Sequence, residues 1–94
     1  LSNKYRIFET EEFLKKLEKS EQQDEIFIQN KLRTYIYPQI RSEPFFGKNI
    51  KKLKGYVPET YRYRIGKFRL FYTVDQAESI IYILTLNDRK DAYR

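Results

Sequence analysis

A chain of 94 residues, 40% hydrophobic and 17% aromatic, is expected to form one globular domain (residues 1–94) around a small core. Cys and His are both absent, which removes disulfides, the usual zinc ligands and every catalytic triad that needs an imidazole base. The net charge of +6 is uneven: residues 1–30 hold 5 Lys/Arg against 7 Asp/Glu, whereas residues 31–94 hold 14 against 6.

The lack of Cys fits a reducing cytoplasm. No apolar run approaches the roughly 20 residues that cross a bilayer, and no secretory signal pattern is visible. A cytoplasmic protein with no membrane association is the expectation. A basic surface interleaved with aromatics is the electrostatic footprint of a nucleic-acid binder. Composition alone leaves an acidic protein partner or a membrane surface open.

Residues 4–8, Lys-Tyr-Arg-Ile-Phe, read as a short first strand. Thr10 then caps a helix whose first turn carries Glu11 and Glu12, suited to the positive end of the helix dipole. Its expected buried stripe is Phe13, Leu14 and Leu17. Ser20, with Gln23 three residues on, resembles a capping box that opens a second helix. The stripe of that helix is Ile28, Leu32, Ile36 and Ile40, and Pro38 should end or kink it, because proline has no amide donor.

Residues 41–59 contain two prolines and two glycines and are expected to be mostly loop, with Leu53 anchored in the core and its lysines solvated. Strands follow at about 60–65 and 68–75. A turn near Gln76-Ala77-Glu78 leads to a last strand at 80–86, apolar on both faces and so expected to be central and covered on each side. The order β-α-α-β-β-β predicts a two-layer α+β domain: a twisted, mainly antiparallel sheet with an N-terminal helical hairpin on one face.

The hairpin Tyr61-Arg62-Tyr63-Arg64-Ile65-Gly66-Lys67-Phe68-Arg69-Leu70-Phe71-Tyr72 carries the strongest functional signal. A two-residue Gly-Lys loop suits a type II′ turn. Ile65 then pairs with Phe68, Arg64 lies opposite Arg69, and Arg62 shares their face, because side chains alternate along a strand. Tyr61, Tyr63, Tyr72 and, on the last strand, Tyr82 are expected in the core. Like charges directly opposite destabilise a sheet. Three guanidinium groups on one patch therefore point to a polyanion.

With that hairpin, Leu53-Lys54-Gly55 before it and Arg89-Lys90-Asp91-Ala92-Tyr93 after the last strand, the chain resembles the RelE/ParE superfamily of small bacterial toxins over essentially its whole length. The resemblance implies a type II toxin held inactive by a cognate antitoxin, with operator DNA met only through that antitoxin. In the RelE-like branch it implies a metal-independent, ribosome-dependent endoribonuclease that needs no cofactor and cuts mRNA through the substrate's own 2′-hydroxyl. Carried over by position, the site is Arg62, Arg64, Arg69, Arg89 and Tyr93: Arg69 and Arg89 clamp the phosphate, and Tyr93 stacks on a base or carries a proton. Lys51, Lys52, Lys54, Lys90 and Arg94 are the expected RNA-contacting residues.

Two departures stand out. Well-known ribosome-dependent members have lysines where Arg62 and Arg64 stand, and arginine cannot surrender a proton as a general base. Many relatives carry a histidine just before the arginine matching Arg89, whereas this chain has Asp88 there, read as a salt-bridge partner before a base. Two other readings stay open: a ParE-like inhibitor of DNA gyrase, and a non-toxic co-repressor that only binds its antitoxin.

Overall fold

The elements run β1 (Arg6–Glu9), α1 (Glu11–Lys19), α2 (Gln22–Lys31), a π turn (Leu32–Ile36), α3 (Tyr37–Ser42), β2 (Ile50–Lys52), β3 (Thr60–Ile65), β4 (Phe68–Asp75) and β5 (Ile80–Asp88). They come from a computed structural model that describes residues 4–88. The strands form one sheet in the order β1-β5-β4-β3-β2, parallel between β1 and β5 and antiparallel elsewhere. The expected two-layer α+β architecture is present. The addition is β2, a three-residue strand inside the segment expected to be loop, paired with Tyr61–Tyr63 of β3.

One face of the sheet buries Tyr61, Tyr63, Ile65, Phe68, Leu70, Tyr72, Ile81, Ile83 and Leu86 against Phe13, Leu17, Ile28, Leu32, Ile36 and Ile40 of the helices. Leu14 departs from its expected place and is 45% exposed, so the buried residues of α1 are Phe13 and Leu17. Leu53 is only half-buried and stays outside the core cluster; its amide donates to the Thr60 carbonyl at 2.9 Å.

Thr10 caps α1 as expected, its hydroxyl accepting from the Phe13 amide at 3.3 Å. Ser20 does not open α2. Its hydroxyl donates to the Leu17 carbonyl at 2.6 Å and closes α1, while Glu21 stands at the start of α2 without a side-chain cap. Ser20 is the C-cap of α1 and Glu21 takes the capping position of α2, so Ser20 stands one residue too early to form the box.

Pro38 does not end the helical run, which continues to Ser42. Proline lacks the amide that the Thr34 carbonyl needs, and its ring crowds that carbonyl. The chain widens instead, and the Tyr37 amide reaches back five residues to Leu32. This has a packing consequence. Residues spaced by four drift about 40° per step around an ordinary α-helix. The wider turn takes back part of that drift and keeps Ile28, Leu32, Ile36 and Ile40 all buried.

The sheet contains a second irregularity. Phe71 pairs with Thr85 but Tyr72 pairs with Ile83, leaving Leu84 as an extra residue on β5. The bulge reverses which side chains of β5 face the helices: Ile81 and Ile83 before it, Leu86 after it. The two carbonyls beside the bulge are met by Thr10, the cap of α1: its amide donates to the Ile83 oxygen at 3.1 Å, and its single hydroxyl proton is shared between the Ile83 and Leu84 oxygens at 2.7 and 2.9 Å. The expectation that β5 is covered on both faces is corrected accordingly. It is central in the sheet, but only one face packs on helices. Its apolar run lacks alternation because the bulge changes the parity midway. Tyr82 falls on the open face, half-buried against Phe8 of β1 with ring centroids 5.6 Å apart, and not in the core.

Candidate nucleic-acid interface

The hairpin turn positions the arginines. Gly66 has φ +57°, and Lys67 is not among the described residues with positive φ, the sign pattern of a II′ turn. Ile65 pairs with Phe68, Arg64 with Arg69, and Arg62 with Phe71. The Arg64 amide points away from β4 and donates to the Asn49 carbonyl at 3.0 Å. Arg64 and Arg69 therefore form the closer, non-hydrogen-bonded kind of antiparallel pair, with Cα atoms about 4.5 Å apart.

Three further strand positions join this face. Lys51 of β2 stands opposite Arg62, which adds a fourth cation. Thr85 stands opposite Phe71, and Asn87 opposite Arg69, both brought there by the bulge. Arg64 is exposed, whereas Arg62 and Arg69 are half-buried. The Arg62 Nε and the Thr85 hydroxyl are buried and have no hydrogen-bond partner among the described residues. Buried polar atoms are nearly always paired, so both are open to a ligand.

The loop lysines separate. Lys51 lies on the arginine face. Lys52 pairs with Tyr61 on the opposite parity and makes a 2.8 Å ion pair with Glu59. That hydrogen-bonded pair raises the Lys52 pKa and lowers that of Glu59, each mainly through the other. Lys54 is exposed in the turn that follows β2. Asp88 pairs with Phe68 on the helix side, its carboxylate 3.9 Å from the Lys67 ammonium. The salt bridge expected of Asp88 is with Arg89 or Lys90, which lie outside the described residues; the ion pair seen is with Lys67. Arg89, Lys90, Tyr93 and Arg94 lie outside the described residues.

Asn87 and Thr85 were missed in the sequence, because nothing in Ile-Leu-Thr-Leu-Asn marks a bulge. The Asn87 carboxamide oxygen accepts from Lys16 at 2.7 Å, so α1 reaches the end of this interface as well. Among the described residues, no group of three or more Asp or Glu side chains could hold a metal ion, and no helix is long and apolar enough to cross a membrane. What the patch can do is bind and neutralise phosphate oxygens. Arginine's planar fork matches them in pairs, and its charge persists at any working pH.

Comparison with known proteins places this geometry. The model of the ParE toxin family of type II toxin–antitoxin systems matches residues 5–93. A protein of Methanocaldococcus jannaschii assigned the name toxin RelE1 is 48% identical over 46 residues, 49% of this chain and 50% of that one. The match thus spans about half the length of that curated relative. Among solved structures, the archaeal RelE–RelB complex from Pyrococcus horikoshii matches with a TM-score of 0.69 at 24% identity, covering 92% of this chain and 96% of the other. The RelBE2 toxin–antitoxin complex of Mycobacterium tuberculosis matches at 0.71 and 21% identity, covering 90% and 98%. Both carry the same fold.

Proposed function

The chain belongs to the ParE toxin family, within the RelE/ParE superfamily of type II toxins, and from that premise we propose that it is a ribosome-associated endoribonuclease that cuts messenger RNA. The observation that carries the reading is the arginine face: Arg64 opposite Arg69, with Arg62 and Lys51 beside them. A sheet gains nothing from this cluster, whereas an RNA backbone held across it does.

In the proposed reaction the substrate's 2′-oxygen attacks the adjacent phosphorus and the 5′-oxygen leaves with a proton. Arg69 and Arg89 hold the phosphate oxygens, where negative charge builds. Arg62 and Arg64 add electrostatic support and orient the strand. Tyr93 stacks on a base and delivers the proton. The nucleophile comes from the RNA, so the protein's share is alignment and charge stabilisation. Arginine does not act as the base, so that role falls to another group of the assembled complex.

A cognate antitoxin completes the proposal. Two of the solved relatives are toxin–antitoxin complexes, RelE–RelB of Pyrococcus horikoshii and RelBE2 of Mycobacterium tuberculosis. A small acidic protein, with a segment that folds on this basic surface, is the partner proposed here. Operator DNA is reached only through it.

The test is cell-free translation of a defined mRNA, with 5′ ends mapped by primer extension. Cuts inside the reading frame during translation, reduced about 10²–10³-fold in Arg69→Ala and Arg89→Ala, are expected. Gyrase inhibition is the second reading, favoured by the ParE family match. Intact mRNA together with blocked supercoiling by purified gyrase would replace the first reading with the second.

A further inference from the structure

Beside the arginine face, the helical layer presents a ridge that the core does not use. Phe27, Lys31 and Tyr35 are spaced by four and lie one residue before the buried stripe Ile28, Leu32 and Ile36. One residue is about 100° around a helix, so this ridge turns away from the core, and it lies beside Arg64, Ile65 and Gly66 at the end of β3. Residues eight apart would drift about 80° in an ordinary α-helix. The π turn that contains Tyr35 takes back part of that drift and brings Tyr35 toward the line of Phe27.

The ridge forms one wall of a pocket of about 170 Å³, and Asn49, Arg64 and Gly66 contribute to the other. Phe27 is 42% exposed and lies against the hairpin turn, its ring 3.9 Å from where a Cβ would stand on Gly66. Tyr35 is 58% exposed, with the Lys31 ammonium 5.8 Å from its ring centroid. Paired strand β2 ends at Ile50 opposite Tyr63, and beyond it the Arg64 amide donates to the Asn49 carbonyl at 3.0 Å, so Arg64 and Asn49 line the pocket together. Arg64 therefore borders both the pocket and the arginine face.

We infer that this pocket is a stacking subsite for one unpaired base of the RNA strand, next to the nucleotide held on the arginine face. Phe27 beside the Gly66 turn and Tyr35 two helical turns on each supply an exposed ring face. Lys31 and Arg64 supply charge for the phosphates on either side. Aromatic rings interleaved with cations along a groove are the general design for single-stranded nucleic acid, and they tolerate any base because every base has a π face. No acidic side chain lines the pocket, so its charge favours an anionic strand.

This inference rests on the RNA-binding reading above, and the experiment separates the two. Fluorescence anisotropy of a labelled 2′-O-methyl octaribonucleotide, which cannot be cleaved, reads affinity without catalysis or ribosomes. Phe27→Ala/Tyr35→Ala should bind about tenfold or more weaker, with an unchanged salt slope, because stacking is lost and phosphate contacts are not. Tyr35→Phe should bind like the parent. A series of oligonucleotides with one abasic site each should weaken the parent protein at one position and leave the double variant indifferent there. Unchanged affinity in the double variant, with Arg62→Ala and Arg69→Ala still weak, would overturn the subsite, leave the RNA reading standing and give the pocket to a protein partner. Parent affinity untouched by the arginine substitutions would overturn both.

Discussion

Arg64 and Arg69 stand directly opposite each other across β3 and β4, one pair back from the Gly66-Lys67 turn. The like charges meet in the closest register an antiparallel sheet offers. Such a pair costs the fold a few tenths of a kcal/mol to about 1 kcal/mol relative to neutral residues.

Replacing Arg64 by Gln should therefore stabilise the protein while weakening its hold on RNA. Because Arg64 is exposed, the gain belongs at the low end of about 0.2–1 kcal/mol, and it should shrink as salt screens the pair. Thermal melts of parent and variant at low and high ionic strength test this. A variant no more stable than the parent at low salt would mean that the two guanidinium groups do not repel in the folded state.

Lys51 and Lys52 are adjacent in sequence but should behave differently. Lys51 stands opposite Arg62, whereas Lys52 is committed to Glu59 at 2.8 Å. Lys51→Ala should lower the slope of log affinity against log salt by about 0.7, one phosphate contact on a single strand. Lys52→Ala should leave it unchanged. Salt titrations of RNA binding distinguish them, and equal slopes would place both lysines on the RNA or neither.

Thr10 joins three parts of the fold. Its hydroxyl caps α1 and reaches the carbonyls of Ile83 and Leu84 at the bulge. Thr10→Ala should cost about 1–3 kcal/mol, the loss of a cap together with a carbonyl bond. Urea unfolding measures that cost. Thr10→Ser, which keeps the hydroxyl, should recover most of it. A Thr10→Ala midpoint equal to the parent would show that the bulge holds without this bond.

Alkaline pH should unfold the protein through its buried tyrosines. Burial pushes the Tyr72 phenol up, and burial followed by the 2.7 Å bond to Glu9 pushes Tyr37 up. A raised folded pKa gives stability that is complete below about pH 10, where unfolded tyrosine also keeps its proton. Above that pH the unfolded state loses its proton first. Stability should then fall by at most about 1.4 kcal/mol per pH unit for each such tyrosine. Denaturant midpoints measured from neutral pH upward test this in parent and Tyr72→Phe. A Tyr72→Phe slope as steep as the parent's would count against the assignment.

The layer order, the hairpin register and the face shared by Arg62, Arg64 and Arg69 were legible from residue order alone. Each follows from a local rule: the period of side chains along a strand, and the backbone that Gly66 permits at a two-residue turn. The sequence also carried the i, i+4 stripe from Ile28 to Ile40. Only the tertiary structure decided where that periodicity slips. Pro38 reads locally as a stop, but packing of Ile36 and Ile40 against the sheet favours a widened turn over a broken helix. The run from Ile80 to Leu86 reads as apolar on both sides, and the bulge at Leu84 divides it between two faces. The hydroxyl that satisfies that bulge belongs to Thr10, more than seventy residues away in the chain. Likewise, Phe27 and Tyr35 become a pocket with Arg64 only when helix and hairpin meet. Local propensity acts between neighbours in sequence, whereas bulges, widened turns and pockets are settled by burial and hydrogen-bond satisfaction between segments far apart in the chain.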